Sequence, residues 1–386
     1  MAVFCYLIKL FMKPLELKAR LLCEGANPDN PETVDFLSAQ NPQKVLRGGL
    51  SSGFKVRLLP EQRNSPNGAF PNREFRVNFP LYSKTPVPLK VRTDGNGLVI
   101  LENDTEIGRA EILRPPEWYS ETVEGYPITS IVTQHGDQIV GSVYEGCCLF
   151  NTGEQCKFCV IDKSQTRPEL RSVKKKSELI LKALEVIPRE AYRGLGLNGG
   201  MTFTDGRGME NMIPLMEKIR DKFGQIPLAV EMTPPKNLDW IQRFADAGGE
   251  SLMMNLETWD DDIRRKLIPG KSKYCPKQAY LDAFEKALQV LGEGKVSTCF
   301  VVGSEPIPSL KDGIKKVVEY GVIPSPISGR YFEEFADYPF QPNANWKEFL
   351  DVFIFARNEM FKAGIIPNGC AGHIACGMCD IIGDQE

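Results

Sequence analysis

Residues 226–257 read IPLAVEMTPPKNLDWIQRFADAGGESLMMNLE, and this stretch decides the fold class. Two short apolar runs, IPLAVEM and ESLMMNL, flank a segment at 238–247 whose apolar residues recur with helical spacing. Short apolar runs bounded by Gly and Pro are typical of buried strands, so the stretch predicts a strand, a helix and a second strand. Because a helical crossover joins neighbouring strands in parallel, we expect a parallel sheet.

The same alternation runs from about residue 126 to residue 336. It predicts further strands at SIVTQ, GLGLNG, VSTCFVVG and GVIPSPISGRYF, and further helices at 177–186, 209–223, 276–291, 309–320 and 345–363. About six strand–helix units are fewer than the eight of a closed barrel, so we predict an α/β fold with a partial, open (β/α)6 barrel. Ligand-binding residues are expected at the C-terminal ends of its strands.

Two further regions flank the predicted barrel. Residues 1–125 are rich in Pro, Gly and Asn, and their short alternating runs predict a small, mostly antiparallel β region. Residues 337–386 hold a predicted helix and a Cys-rich tail. We therefore expect three parts, at 1–125, 126–336 and 337–386.

Composition narrows the classes of function. The net charge of −3 gives no reason to expect nucleic acid or an anionic membrane as the partner. The chain has no run of about 18 apolar residues, and its apolar start lacks the features of a signal peptide. We expect a cytoplasmic protein, for which Met12 is an alternative initiator.

The cysteines indicate metal chemistry. The chain has eleven cysteines and only two histidines, and many of the cysteines cluster at 147–159 and 370–379. A secreted disulfide scaffold is short and spreads its cysteines along the chain. Clustered cysteines in a large enzyme instead favour thiolate metal ligands.

The first cluster of cysteines lies in CLFNTGEQCKFC, residues 148–159. It places Cys148, Cys156 and Cys159 in a C-x7-C-x2-C pattern on the loop after the first predicted barrel strand. Three thiolates are one fewer than a fully protein-ligated [4Fe–4S] cluster needs, which leaves one iron open. We favour Cys148 as the first ligand over the adjacent Cys147. A structural zinc site with Cys147 as the fourth ligand is the alternative interpretation.

Together with residues at the strand ends, this motif resembles the radical SAM superfamily, over about residues 126–335. The usual spacing in that superfamily is C-x3-C-x2-C, so the longer first gap matches a minority of its families. Phe158 is similar to the aromatic residue that precedes the last cysteine. The resemblance implies a [4Fe–4S] cluster that binds S-adenosylmethionine, reduces it to a 5′-deoxyadenosyl radical and receives electrons from a flavodoxin or ferredoxin.

The resemblance also implies which residues bind S-adenosylmethionine. Asn198, Gly199 and Gly200 resemble the glycine-rich motif that binds the methionine amino group, although Met201 stands where the family has an acidic residue. Val301, in VVGSE, resembles a residue that packs against adenine. The other candidates are polar strand-end residues, for the ribose hydroxyls or a carboxylate: Glu231, Asn255, Glu257 and Arg330.

The tail NGCAGHIACGMCD places Cys370, Cys376 and Cys379 around His373. Three interpretations stay open. The tail could hold a second iron–sulfur cluster or an iron ion, completed by His373, Cys147 or Cys275. It could hold a structural zinc ion, or it could present His373 or its backbone to another cofactor.

Two narrower resemblances concern the reaction. The β region, the cysteine spacing and the tail are similar to radical SAM proteins of nitrilase gene clusters. They are also similar to the compact cobalamin-dependent enzymes that C-methylate a glutamine of methyl-coenzyme M reductase. We favour the second resemblance, which implies anaerobic, cobalamin-dependent methylation of an unactivated carbon in a protein or small molecule, with His373 as a candidate cobalamin ligand. The alternatives are a nitrilase-cluster enzyme that acts on a small molecule without cobalamin and a structural protein with two zinc sites.

Overall fold

The computed structural model describes residues 15–40, 54–59, 75–95, 97–144, 146–159, 161, 177–329 and 344–367. Its strands form a six-stranded sheet from the N-terminal part of the chain, a seven-stranded sheet from the central part, and a two-stranded ribbon between them in sequence. The ribbon consists of Thr122–Val123 and Tyr126–Pro127.

The N-terminal sheet consists, in chain order, of β1 (Asn27–Pro28), β2 (Phe54–Leu58), β3 (Phe75–Phe79), β4 (Leu89–Thr93), β5 (Leu98–Glu102) and β6 (Thr105–Ile112). The strand order is β1-β4-β5-β6-β2-β3, and only the β1–β4 pair is parallel. This agrees with the predicted antiparallel region.

Two helices accompany that sheet and were not predicted: α1 (residues 15–24) and α2 (Pro31–Gln40). Proline at the first position of α2 costs no hydrogen bond, and Asn30 Oδ1 caps the helix by accepting from the Thr33 N–H at 2.8 Å. The buried face of α1 contacts the barrel, where Ser328 Oγ donates to the Leu22 carbonyl at 3.3 Å.

The central sheet is the partial barrel. Its strands, which we number onward from the N-terminal sheet, are β7 (Val132–His135), β8 (Gln138–Tyr144), β9 (Gly194–Gly199), β10 (Leu228–Met232), β11 (Gly249–Met254), β12 (Val296–Val302) and β13 (Ile323–Ser328). They lie side by side in chain order. The last six strands are parallel, which confirms the (β/α)6 prediction.

One strand was assigned wrongly from the sequence. SIVTQ overlaps β7, which pairs antiparallel with β8 at the edge of the sheet. The first parallel strand, β8, was missed. A tight turn at Gly136, whose φ is +62°, joins the two strands, and a single Gly–Asp pair inside an alternating run gave little sign of a hairpin.

The helices of the barrel region follow its strands. They are α3 (Cys148–Asn151), α4 (Ser177–Val186), α5 (Met209–Phe223), α6 (Asp239–Asp246), α7 (Asp261–Leu267), α8 (Pro269–Tyr274), α9 (Lys277–Leu291), α10 (Ile307–Glu319) and α11 (Trp346–Lys362). The sequence did not predict α7 and α8, which follow β11. Helices of 7 and 6 residues are too short to show a clear apolar period.

Strand register determines which side chains share a face. Leu228, Val230 and Met232 of β10 belong to the main hydrophobic core. Glu231, between them, therefore lies on the opposite face. It pairs in register with Asn198 of β9. No helix in the described part of the chain is long and apolar enough to cross a bilayer.

Candidate active site

A row of polar groups runs from Ser142 through Asn198, Glu231 and Asn255, which directly follows β11, to Cys299. Asn198 and Glu231 are register partners, and the other neighbours in the row are joined by hydrogen bonds. We call these residues the polar row. Ser142 Oγ donates to Asn198 Oδ1 at 2.6 Å, and Asn255 Nδ2 donates to Glu231 Oε1 at 2.6 Å. The Cys299 N–H donates to Asn255 Oδ1 at 3.2 Å. The structure therefore brings the predicted residues Asn198, Glu231 and Asn255 onto one face of the sheet.

Glu257 extends this row beyond the end of β11. Its φ of +70° is uncommon for a residue other than glycine. The conformation is held by β12, because the Glu257 N–H donates to the Cys299 carbonyl at 3.0 Å and its carbonyl accepts from the Val301 N–H at 2.7 Å. Backbone strain of this kind clusters at functional sites.

Glu257 is 7% exposed and its carboxylate pairs with the largely buried ammonium of Lys271. Lys271 Nζ, on α8, lies 2.7 Å from Glu257 Oε1, and the Cys299 thiol donates to Glu257 Oε2 at 3.3 Å. Lys271 was not singled out from the sequence. Its pairing partly compensates the cost of burying both charges.

Burial and nearby negative charge raise the pKa of two groups in the polar row, the Glu231 carboxyl and the Cys299 thiol. Burial raises the pKa of the Glu231 carboxyl, the nearby Glu257 raises it further, and the hydrogen bond from Asn255 opposes the rise. Burial and the same two carboxylates raise the pKa of the Cys299 thiol well above its ordinary value. The row is therefore a desolvated polar surface in which Cys299 stays protonated at neutral pH.

Residues 146–159, which we call the cysteine loop, pack beside the polar row. Cys147 occupies the N-cap position of α3 without a side-chain capping hydrogen bond, and Cys148 is the first residue of that helix. Both are free thiols, as are Cys156 and Cys159. Cys148 is 7% exposed and belongs to the main core. Cys156 lies in a separate apolar cluster, whose other members are Leu267, Ile268, Phe158, Cys159 and Ile263.

The environments of Cys147 and Cys148 differ. Burial raises the pKa of the Cys159 thiol to about 11 and that of the Cys156 thiol further, and the charge of Cys147 adds to the rise at both positions. At Cys148, whose pKa is raised to about 11, the main cause is burial, and the charges that act are those of Cys147, Cys275 and Arg207. Because Cys148 is buried in the main core and Cys147 is half-buried at its edge, Cys147 is the more accessible of the two thiols.

The thiols of this loop fit an iron–sulfur cluster by their chemistry, because soft thiolate ligands select such clusters. Among the described residues, no group of three or more His, Cys, Asp or Glu side chains is close enough to hold a single metal ion. The thiolates of a four-iron cluster bind different irons and do not have to converge on one point.

Gly200, which directly follows β9, has a packing role that the sequence did not indicate. A Cβ at Gly200 would lie 1.8 Å from the Gly146 carbonyl oxygen and 2.8 Å from the Cys147 Cβ. The resemblance implies that Gly200 lies at the site of the methionine amino group. In the structure, the cysteine loop itself occupies that space.

Val301 and Glu305, both in VVGSE, contact different parts of the chain around Glu257. Val301 is 4% exposed and lies beside Glu257. The Glu305 carboxylate accepts from the backbone N–H groups of Trp259 and Asp260 at 2.6 and 2.8 Å. Glu305 therefore holds the loop that follows Glu257.

Several predicted residues lie outside the described part of the chain: Arg330, Cys370, His373, Cys376 and Cys379. Cys275, one candidate to complete the metal site of the tail, is described. It is fully buried, and its sulfur accepts from Arg207 Nη1 at 2.6 Å.

The chain is similar to known proteins across the barrel. Residues 142–323 match the Radical SAM superfamily. The bacteriochlorophyllide c C-7(1)-hydroxylase of Chlorobaculum limnaeum is 23% identical over 359 residues, which cover 86% of this chain and 81% of that protein.

Two solved structures are also similar. Methylornithine synthase has 17% identity and a TM-score of 0.45, and the match covers 62% of this chain and 65% of that chain, just under two thirds. A radical SAM methyltransferase from Sphaerobacter thermophilus has 15% identity and a TM-score of 0.42, with 75% and 80% covered.

The residues matched by the superfamily begin at Ser142, in the polar row, and end at Ile323, the first residue of β13. They include the cysteine loop, Glu257 and Lys271. Residues 142–323 of the chain form a radical SAM domain, and the chain is an enzyme.

Proposed function

We propose that the enzyme holds a [4Fe–4S] cluster through Cys147, Cys156 and Cys159 and cleaves S-adenosylmethionine to start a reaction at an unactivated carbon. The observation that carries this proposal is the cysteine loop packed beside the half-buried polar row, at the C-terminal ends of parallel strands. A cluster with three thiolate ligands keeps one iron open for S-adenosylmethionine and supplies the electron that cleaves it to a 5′-deoxyadenosyl radical.

The polar row and Glu257 are proposed to bind the polar groups of S-adenosylmethionine. Asn198, with the carbonyls of Gly199 and Gly200, supplies acceptors for the methionine ammonium. The Glu257 carboxylate accepts from the ribose hydroxyls, and Val301 packs against the adenine. Glu257 and Val301 are buried and Asn198, Gly199 and Gly200 are half-buried, so hydrogen bonds to these groups are stronger than in bulk water.

Binding can be tested with anaerobically reconstituted protein. Addition of S-adenosylmethionine should change the electron paramagnetic resonance spectrum of the reduced cluster, because the open iron gains ligands. Asn255→Ala removes the amide that joins Glu231 to β12, and should weaken binding about tenfold, or ~1.4 kcal/mol. Asn211→Ala, on the exposed face of α5, is the control. Unchanged spectra on addition of S-adenosylmethionine would count against the proposal.

For the reaction itself, we propose C-methylation with cobalamin as the methyl carrier. The support is the resemblance of the N-terminal β region, the cysteine spacing and the tail to compact methyltransferases. His135 is the last residue of β7 and pairs with Gln138, at the opposite end of β8 from the cysteine loop. A histidine ligand to cobalamin would therefore come from His373, outside the described residues.

Hydroxylation of an unactivated carbon is the second candidate. The observation that favours it is the bacteriochlorophyllide c C-7(1)-hydroxylase, whose similarity covers 86% of this chain and so extends well beyond the barrel. Hydroxylation needs no methyl carrier. It is therefore compatible with the cobalamin-free alternative, which came from the resemblance to radical SAM proteins of nitrilase gene clusters.

Corrinoid retention separates the two candidates. The reconstituted enzyme is incubated with hydroxocobalamin, freed of unbound corrinoid by gel filtration, and examined by visible spectroscopy. Methylation predicts about one corrinoid retained per chain and loss of that corrinoid in His373→Ala. A wild-type protein that retains none would contradict methylation and leave hydroxylation as the better proposal.

A further inference from the structure

Lys271 lies in a segment that is docked directly on the cysteine loop. The Lys157 N–H donates to the Leu267 carbonyl at 2.8 Å, and the Gly270 N–H donates to the Glu154 carbonyl at 2.9 Å. A Cβ at Gly270 would lie 2.6 Å from that same Glu154 oxygen. The backbone before Lys271 is therefore in close contact with the loop that carries the cysteines.

Packing brings the same segment against two of the three proposed cluster ligands. Leu267 and Ile268 share an apolar cluster with Cys156 and Cys159. Ile268 is fully buried, which excludes water from this side of the loop. Lys271 therefore directly follows a segment, from the end of α7 to the start of α8, that packs against the cysteine loop.

The Lys271 ammonium, on α8, is a largely buried positive charge. Its side chain is 15% exposed and lies 2.7 Å from Glu257 Oε1. Burial lowers the pKa of Lys271, but the Glu257 carboxylate raises it through its charge and its hydrogen bond, and the net pKa lies above the ordinary value, so that the amine stays protonated.

We propose that Lys271 is a positioning residue for electron transfer: its ammonium stabilises the negative charge that the cluster gains on one-electron reduction, and Glu257 limits this effect by pairing with it. The inference rests on the proposed cluster. One electron enters from a low-potential donor of the flavodoxin or ferredoxin class, and Lys271 keeps its proton throughout.

The physical basis is the weak screening inside the protein. A unit charge interacts with its neighbours several times more strongly in a buried site than in water. Cluster potentials respond to nearby charge, hydrogen bonding and exposure. Removal of the ammonium should therefore make reduction harder, and removal of its counter-charge should make reduction easier.

The test is a redox titration of the reconstituted cluster without S-adenosylmethionine, followed by electron paramagnetic resonance. Lys271→Met should lower the potential by ~59 mV or more, which is a tenfold fall in the equilibrium constant for one-electron reduction. Glu257→Gln should raise the potential. Lys273→Met is the matched control. Because Lys273 is 58% exposed and pairs with Glu154, the cluster of this variant should have the wild-type reduction potential.

Two further comparisons keep the result decisive. Lys271→Arg retains the charge and should keep the wild-type potential. If Lys271→Met loads no iron, Glu257→Gln alone decides: an unchanged or lowered potential overturns the inference. A shift of Lys271→Met no larger than that of Lys273→Met overturns it as well. Failure of the wild type to load a cluster would instead contradict the proposed function.

Discussion

Gly200→Ala tests the contact between the end of β9 and the cysteine loop. The added Cβ would lie 1.8 Å from the Gly146 carbonyl oxygen. This neighbour is backbone and cannot rotate away as the end of a flexible side chain can. To reach ordinary van der Waals contact at 3.4 Å, the carbonyl has to retreat by about 1.6 Å, and the adjacent Cys147 moves with it.

The expected cost follows from this displacement. Overpacking a well-packed interior costs about 1–3 kcal/mol when side chains can adjust. Because the backbone has to move here, we expect Gly200→Ala to lower the free energy of unfolding by about 3 kcal/mol or more. Displacement of Cys147 should also reduce the iron retained after reconstitution, because a site that is loose by about 1 Å loses its function.

Urea denaturation of the iron-free protein and iron analysis of the reconstituted protein provide the assay. The matched control is Gly199→Ala. Its Cβ would lie 3.0 Å from Cε of the flexible Met212 side chain and 3.2 Å from the Tyr144 carbonyl oxygen. A shift of a few tenths of an ångström relieves these contacts, so the control should lose less stability and keep its iron. Equal stability and equal iron content in the two variants would refute the reasoning.

Three further predictions concern single side chains. Cys147→Ala should lose the reconstituted iron whereas Cys148→Ala keeps it, and the reverse pattern in an iron assay would favour our sequence-based choice of Cys148. Glu305→Gln should lower the free energy of unfolding by about 2 kcal/mol, because backbone N–H groups after β11 lose a charged acceptor; urea denaturation with no change would contradict this role. Burial favours the neutral form of Glu231, so its contribution to stability is present below the ordinary glutamate pKa and is lost as the pH rises through the raised folded-state pKa. Glu231→Gln should therefore raise the melting temperature at neutral pH but not below about pH 4, and equal gains at both would contradict the assignment.

The barrel could be predicted because its signals are local. Helices α4 and α5 begin and end at the predicted residues, since each has a clear apolar face. The β7–β8 hairpin was misassigned because two alternating runs joined by a tight turn look like one strand followed by a loop. The short helices α7 and α8 were missed because they hold too few residues for a period.

The candidate site divides in the same way. Asn198, Glu231 and Asn255 could be found because they stand at the ends of predicted strands, which converge in any parallel barrel. Lys271 could not be found, because its place depends on the docking of α8 against a loop far away in sequence. The choice between Cys147 and Cys148 likewise depends on where α3 begins, which a four-residue helix does not reveal in sequence.

The central claim is that the cysteine loop and the polar row form a site for reductive cleavage of S-adenosylmethionine. The most direct measurement is the 5′-deoxyadenosine formed by the anaerobically reconstituted enzyme with dithionite and S-adenosylmethionine. The wild type should form it, and Cys156→Ala should form none while its circular dichroism spectrum stays that of the wild type. A wild-type protein with a full cluster that forms no 5′-deoxyadenosine, or a Cys156→Ala variant that forms it undiminished, would contradict the account.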